Sequence, residues 1–117
     1  MSIKKVTAII GELMLDNVEQ ALMDHGVTGF TIHPVKGRGY YANLYSEDGL
    51  VSHSQIEIFT NGEYAKKIVN LIMKITNIGV DGQGLIAVTS VDELYGIGKK
   101  SLVNESQFNF FDNVSDA

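Results

Sequence analysis

The stretch Gly26-Val-Thr-Gly-Phe-Thr-Ile-His-Pro-Val-Lys-Gly-Arg-Gly39 decides how this chain is read. Its middle, from Val27 to Val35, is rich in β-branched residues and reads as a strand. Gly26 stands just after His25, where a helix would end on a left-handed residue. Gly37 and Gly39 then release the chain into a long irregular segment. Glycines at that density let backbone N–H groups approach a ligand closely, and the strand ahead of them gives the loop a rigid base.

Upstream, Ile3 to Ile10 alternates and is β-branched, a first strand. Asp16 stands three residues before Glu19 as a capping-box-like helix start, with Leu15, Val18, Leu22 and Met23 at helical spacing. Downstream, residues 36–54 mix glycines, tyrosines and acids without periodicity. A loop of about twenty residues in so small a domain is uncommon and is usually functional or disordered. Gln55 to Thr60 is a third strand. Asn61 is the expected N-cap of a longer helix whose buried face is Ala65, Ile68, Leu71, Ile72 and Ile75. A fourth strand runs from Leu85 to Val91, with a short fifth near Leu94 to Gly96.

Strand–helix–strand, twice over, predicts an α+β fold: the ferredoxin-like βαββαβ plait, one antiparallel sheet with both helices on one face. The first and fourth strands carry apolar residues on both sides, so a homo-oligomer is expected to cover the other face. Fold alone says nothing about chemistry.

At 117 residues the chain is one domain, with 44% hydrophobic and 20% charged residues. Its net charge of −5 and nine scattered Lys and Arg residues argue against nucleic-acid binding. Having no cysteine, it has no disulfides or thiolate zinc site. The N-terminus shows no signal-peptide pattern, and no apolar run reaches the roughly 20 residues of a membrane span, so a cytoplasmic protein is expected.

Three segments together carry a resemblance. Ala8-Ile9-Ile10 with Leu15-Asp16-Asn17-Val18 and Ala21-Leu22 resembles the opening of the P-II signalling proteins. Gly29-Phe30-Thr31 through Val35-Lys36-Gly37-Arg38-Gly39 resembles their second strand and the base of their T-loop. Ile78 to Val88, with Gly82 and Gly84, resembles their B-loop. The resemblance implies a P-II-like domain over residues 1–100, a T-loop at about 36–54, a B-loop at about 78–84, and a separate tail at 101–117. It further implies a homotrimer with an adenine nucleotide in each intersubunit cleft. One wall would be Ile9, Gly37, Arg38, Gly39, Gly82, Gln83 and Gly84. The neighbouring subunit would supply Gly29, Phe30, Thr31, Glu57, Ile58 and Phe59.

The departures from that pattern concern phosphate binding. Leu85 stands where the classical proteins place a lysine after the B-loop glycines, and Gly96 and Gly98 replace two arginines. Tyr40 and Tyr41 replace the arginine–glutamine pair whose glutamine helps hold magnesium and 2-oxoglutarate, and His53 replaces a further lysine. A charge-assisted hydrogen bond contributes roughly 1.5–3 kcal/mol, so losing several disfavours a triphosphate by orders of magnitude. Lys99 and Lys100 are placed to recover part of that loss. Tyr45 does not sit in the segment that the family uridylylates.

The pattern is closer to P-II-like proteins linked to inorganic-carbon uptake and carboxysomes, and Glu93-Leu94-Tyr95-Gly96 resembles the SbtB type, although the SbtB cysteine-bearing extension is absent. The expected effectors are AMP or ADP ahead of ATP, with bicarbonate as a co-ligand. The expected target is a membrane transporter or enzyme, met through Tyr40, Tyr41 and Tyr45.

Bland readings stand beside these. The loop glycines also suit plain turns, and Arg38 also suits a solvated loop. His25 is expected to meet the helix dipole and nothing more. His33 and His53 are expected near each other at the loop base, too few ligands for a metal site. Phe108, Phe110 and Phe111 either dock on the assembly surface, or cover the nucleotide cleft or engage a partner. No nucleophile–base pair or twin carboxylate is present, so no enzyme is expected, with Glu57 the one acid near the cleft. The rival readings are a classical nitrogen-regulatory P-II protein and a CutA-like metal-binding trimer.

Overall fold

The computed structural model describes residues 2–37, 51–77 and 84–112. The elements are β1 (Ile3–Gly11), a 3₁₀ turn (Glu12–Met14), α1 (Leu15–Asp24), β2 (Thr31–Gly37), β3 (Val51–Asn61), α2 (Gly62–Thr76) and β4 (Gly84–Val91). A two-stranded ribbon of β5 (Tyr95–Gly96) and β6 (Ser101–Leu102) follows, then a second 3₁₀ turn at Glu105–Gln107. The main sheet runs β2-β3-β1-β4 and every pairing is antiparallel. That order is the ferredoxin-like plait.

The period of two divides the central strands. Val6, Ala8 and Ile10 on β1 and Ile56 and Ile58 on β3 are buried with Val18, Ala21 and Leu22 of α1 and Ala65, Ile68, Leu71 and Ile72 of α2. The alternate positions form the open face, where Thr7 lies opposite Glu57 on one side and Ala87 on the other. There Ile9 is half-buried beside Leu85, which is 39% exposed. Pro34 is tolerated because β2 is an edge strand and needs no N–H on its outer side.

Several boundaries move from their expected places, each for a local reason. Asp16 does not cap α1: helical turns begin at Glu12, Met14 holds the N-cap without a side-chain bond, and Asp16 is an acid in the first turn. Met23 lies on the exposed side of the helix. The second strand starts at Thr31 rather than Val27. Gly26 takes φ +86°, its N–H donates to Met23 O, and the Val27 N–H donates to Leu22 O at 2.9 Å. This Schellman ending consumes the donor that Val27 would give a sheet and turns its side chain into the core. β3 extends from Val51 to Asn61, well beyond the expected Gln55–Thr60, so residues 36–37 and 51–54 belong to paired strands and not to the loop. The sixth strand had no periodicity to reveal it, being two residues long.

Asn61 does cap α2, its side chain accepting from the Tyr64 N–H at 2.8 Å. Gly84 sits at φ +138°, and a Cβ there would stand 1.9 Å from Ile9 O. This is a backbone-to-backbone approach that only glycine permits.

Candidate functional site

The start of β2 and the end of β3 lie side by side at one edge of the sheet, with Thr31 opposite Glu57. The Gly26–Phe30 connection closes over that corner. Together they frame a cleft of about 390 Å³, lined by Gly29, Phe30, Thr31, Glu57 and Phe59, and on its far side by Gln107, Phe108 and Asn109. A Cβ placed on Gly29 would meet nothing within 4 Å. No packing inside the subunit therefore requires glycine there, and its bare backbone faces open space.

Glu57 is oriented by its neighbours on the open face. Gln55 Nε2 donates to its Oε1 at 2.9 Å, and His33 Nε2 lies 3.6 Å from the same oxygen. The strand-borne acid therefore pairs with an amide and an imidazole. His33 stands opposite Gln55 and His53 opposite Val35, so the two histidines are diagonal neighbours on one face. Among the described residues no group of three His, Asp or Glu side chains is placed to hold a metal.

The segment 104–112 is fastened around this cleft. The Asn104 side chain accepts from the Ser106 N–H at 2.9 Å, and Gln107 closes a reciprocal capping box. Asn61 Nδ2 donates to Glu105 O at 3.2 Å, so the cap of α2 also ties down the tail. Beyond the cleft, the Phe111 N–H donates to His25 O at 2.7 Å, while His25 Nδ1 lies 2.5 Å from Phe111 O. Phe110 stacks on the His25 ring, centroids 4.8 Å apart. Lys67 Nζ reaches Asp112 Oδ2 at 2.8 Å, and this hydrogen bond holds the ammonium above its usual pKa. His25 is accordingly a buried partner of the tail and does more than meet the helix dipole.

The remaining expected site residues divide by place. Ile9 is on the open face and Gly37 ends β2. The Ile58 side chain is fully buried under the helices, and Ile58 is not among the described residues that line the cleft. Leu85 follows Gly84 on β4, and Gly96 lies in β5. Lys99 and Lys100 are exposed in the turn between β5 and β6, Lys100 at φ 54°. Tyr95, exposed on β5, donates its hydroxyl to Glu93 at 2.8 Å, a bond that raises its pKa. Arg38, Gly39, Tyr40, Tyr41, Tyr45, Gly82 and Gln83 lie outside the described residues, as do most of the expected T-loop and B-loop. Sequence reasoning missed Gln107 and Asn109. Their only signal was the polar setting of the phenylalanine cluster.

Comparison with known proteins agrees with this architecture. The family described as "Nitrogen regulatory protein P-II" matches residues 3–101. A nitrogen regulatory protein P-II of Pyropia yezoensis is 32% identical over 107 residues, covering 85% of this chain and 95% of that protein. Nitrogen regulatory protein P-II 2 of Methanothermobacter thermautotrophicus is 34% identical over 112 residues, covering 85% and 96%. Among solved structures, Arabidopsis thaliana PII bound to citrate superposes with a TM-score of 0.77 at 25% identity, covering 89% of this chain and 91% of that one.

Proposed function

This chain belongs to the P-II family of signal-transduction proteins, and on that premise we propose that it is a regulator taking AMP or ADP ahead of ATP between the subunits of a homotrimer. Bicarbonate is the co-effector to be tested with it, and the regulated target is a transporter or enzyme of inorganic-carbon uptake. Ligand contacts that differ between loop states would set the switch.

The observation that carries the reading is the cleft itself. Of the six residues that the resemblance implies for the neighbouring subunit's side of a nucleotide site, Gly29, Phe30, Thr31, Glu57 and Phe59, but not Ile58, line a single cavity of about 390 Å³. That volume lies within the usual range for small-ligand sites. The preference for fewer phosphates is supported by Leu85, Gly96 and Gly98, which place no cation where the family pattern has one. Lys99 and Lys100 are the exposed cations nearest in sequence.

A second reading, a nitrogen-regulatory protein answering to ATP and 2-oxoglutarate, is favoured by the names of the relatives. The citrate in the Arabidopsis structure supports including small carboxylates among the tested anions. Calorimetric titration with AMP, ADP, ATP and cyclic AMP, each with and without bicarbonate, separates the two. AMP or ADP binding at least tenfold tighter than ATP is the expected result. Tight ATP binding that strengthens with magnesium and 2-oxoglutarate would replace it with the nitrogen reading.

A further inference from the structure

We propose that the C-terminal segment 104–112 is a wall of the ligand cleft, with Phe108 stacking on the nucleotide's base. The proposal rests on the nucleotide-binding reading above and adds to it a specificity-determining residue from outside the family-matched residues 3–101. Two independent features of the structure point to it.

The first is that the segment is fixed on both sides of the cleft. Before it, Asn61 Nδ2 holds Glu105 O at 3.2 Å, and the Asn104 capping box shapes the turn. After it, the Phe111 N–H is bonded to His25 O at 2.7 Å, Phe110 stacks on His25, and Lys67 pairs with Asp112. Between these anchors Gln107, Phe108 and Asn109 line the cavity. A backbone held in this way has little conformational entropy left to lose on binding.

The second is the chemistry of the lining. Phe30, Phe59 and Phe108 are aromatic, Gln107 and Asn109 carry amides, and among the described residues that line the cavity Glu57 is the only charged one. A carboxylate without a lining cation repels a phosphate, so this end of the site takes the uncharged part of a nucleotide. Aromatic walls with amides at the rim suit a planar nitrogen heterocycle, whose faces stack and whose edges hydrogen-bond.

Because the tail already docks on the subunit, a base bound against Phe108 adds to the stability of that docking, and by linkage the docking adds to the affinity for the base. The experiment is calorimetry of the full chain with ADP, comparing the wild type with Phe108→Ala and Phe108→Tyr, and with pyrophosphate as a probe that lacks the base. Phe108→Ala is expected to weaken ADP about tenfold and leave pyrophosphate binding unchanged, with Phe108→Tyr restoring ADP. Equal ADP affinity in the wild type and Phe108→Ala overturns the wall but leaves the nucleotide reading standing. Failure of the wild type to bind any adenine nucleotide overturns both. Should Phe108→Ala fold poorly, hydrogen exchange on the wild type decides. ADP is expected to slow exchange of the amides from 107 to 111, and unchanged rates there overturn the proposal.

Discussion

At the scale of single residues, two glycines carry different obligations. Gly84 combines φ +138° with a backbone oxygen 1.9 Å from where a Cβ would sit, and neither strand can yield without breaking the β1–β4 ladder. Gly84→Ala is expected to destabilise the fold by about 3 kcal/mol or more in a denaturant titration. At Gly29 the space is open, so Gly29→Val should leave the melting temperature near that of the wild type while weakening ADP binding by calorimetry. A sequence reading treats both as loop glycines, and only the surrounding atoms tell them apart. Lys67 belongs at this scale too. Its pKa is raised by Asp112, so its contribution to tail docking is complete below the ordinary lysine value and disappears as pH rises through the raised one. The Phe110 ring resonances should report that alkaline loosening, and in Lys67→Met the transition should be missing.

At the scale of elements, α2 shows how one residue serves two structures. Asn61 accepts from Tyr64 N–H to start the helix and donates to Glu105 O to hold the tail. Asn61→Ala is expected to cost about 1 kcal/mol for the lost cap, with added exchange of the tail amides as the separate sign of the second bond. Asn61, the stripe from Ala65 to Ile75 and the helix end at Gly26 were legible in the sequence, because capping and helical period are local. The start of β2 was not. Val27 has strand-like chemistry, yet the Schellman bond to Leu22 claims its N–H first. The edges of β3 were equally hidden, since His53 and Ser54 carry little apolar pattern and are strand only because β1 and β2 pair with them.

At the scale of the whole molecule, the sheet has one face under helices and another with Ile9, Leu85 and Ala87 side by side. Leu85→Glu, which puts a charge beside Ile9 on that face, is expected to split the proposed trimer, read as a fall in sedimentation mass with the helical circular dichroism retained. A wild type that sediments as a monomer would instead remove the trimer and the intersubunit cleft with it. By itself the sequence determined the plait, the buried stripe of α2 and the family pattern, because periodicity and capping act between residues near in the chain. Only the tertiary structure decided that His25 would be buried against Phe110 and that Phe108 would meet Phe30 and Phe59 around one cavity. Those pairs lie from 49 to 85 positions apart in the chain, and no local rule of spacing records which distant side chains the sheet and its tail will bring together.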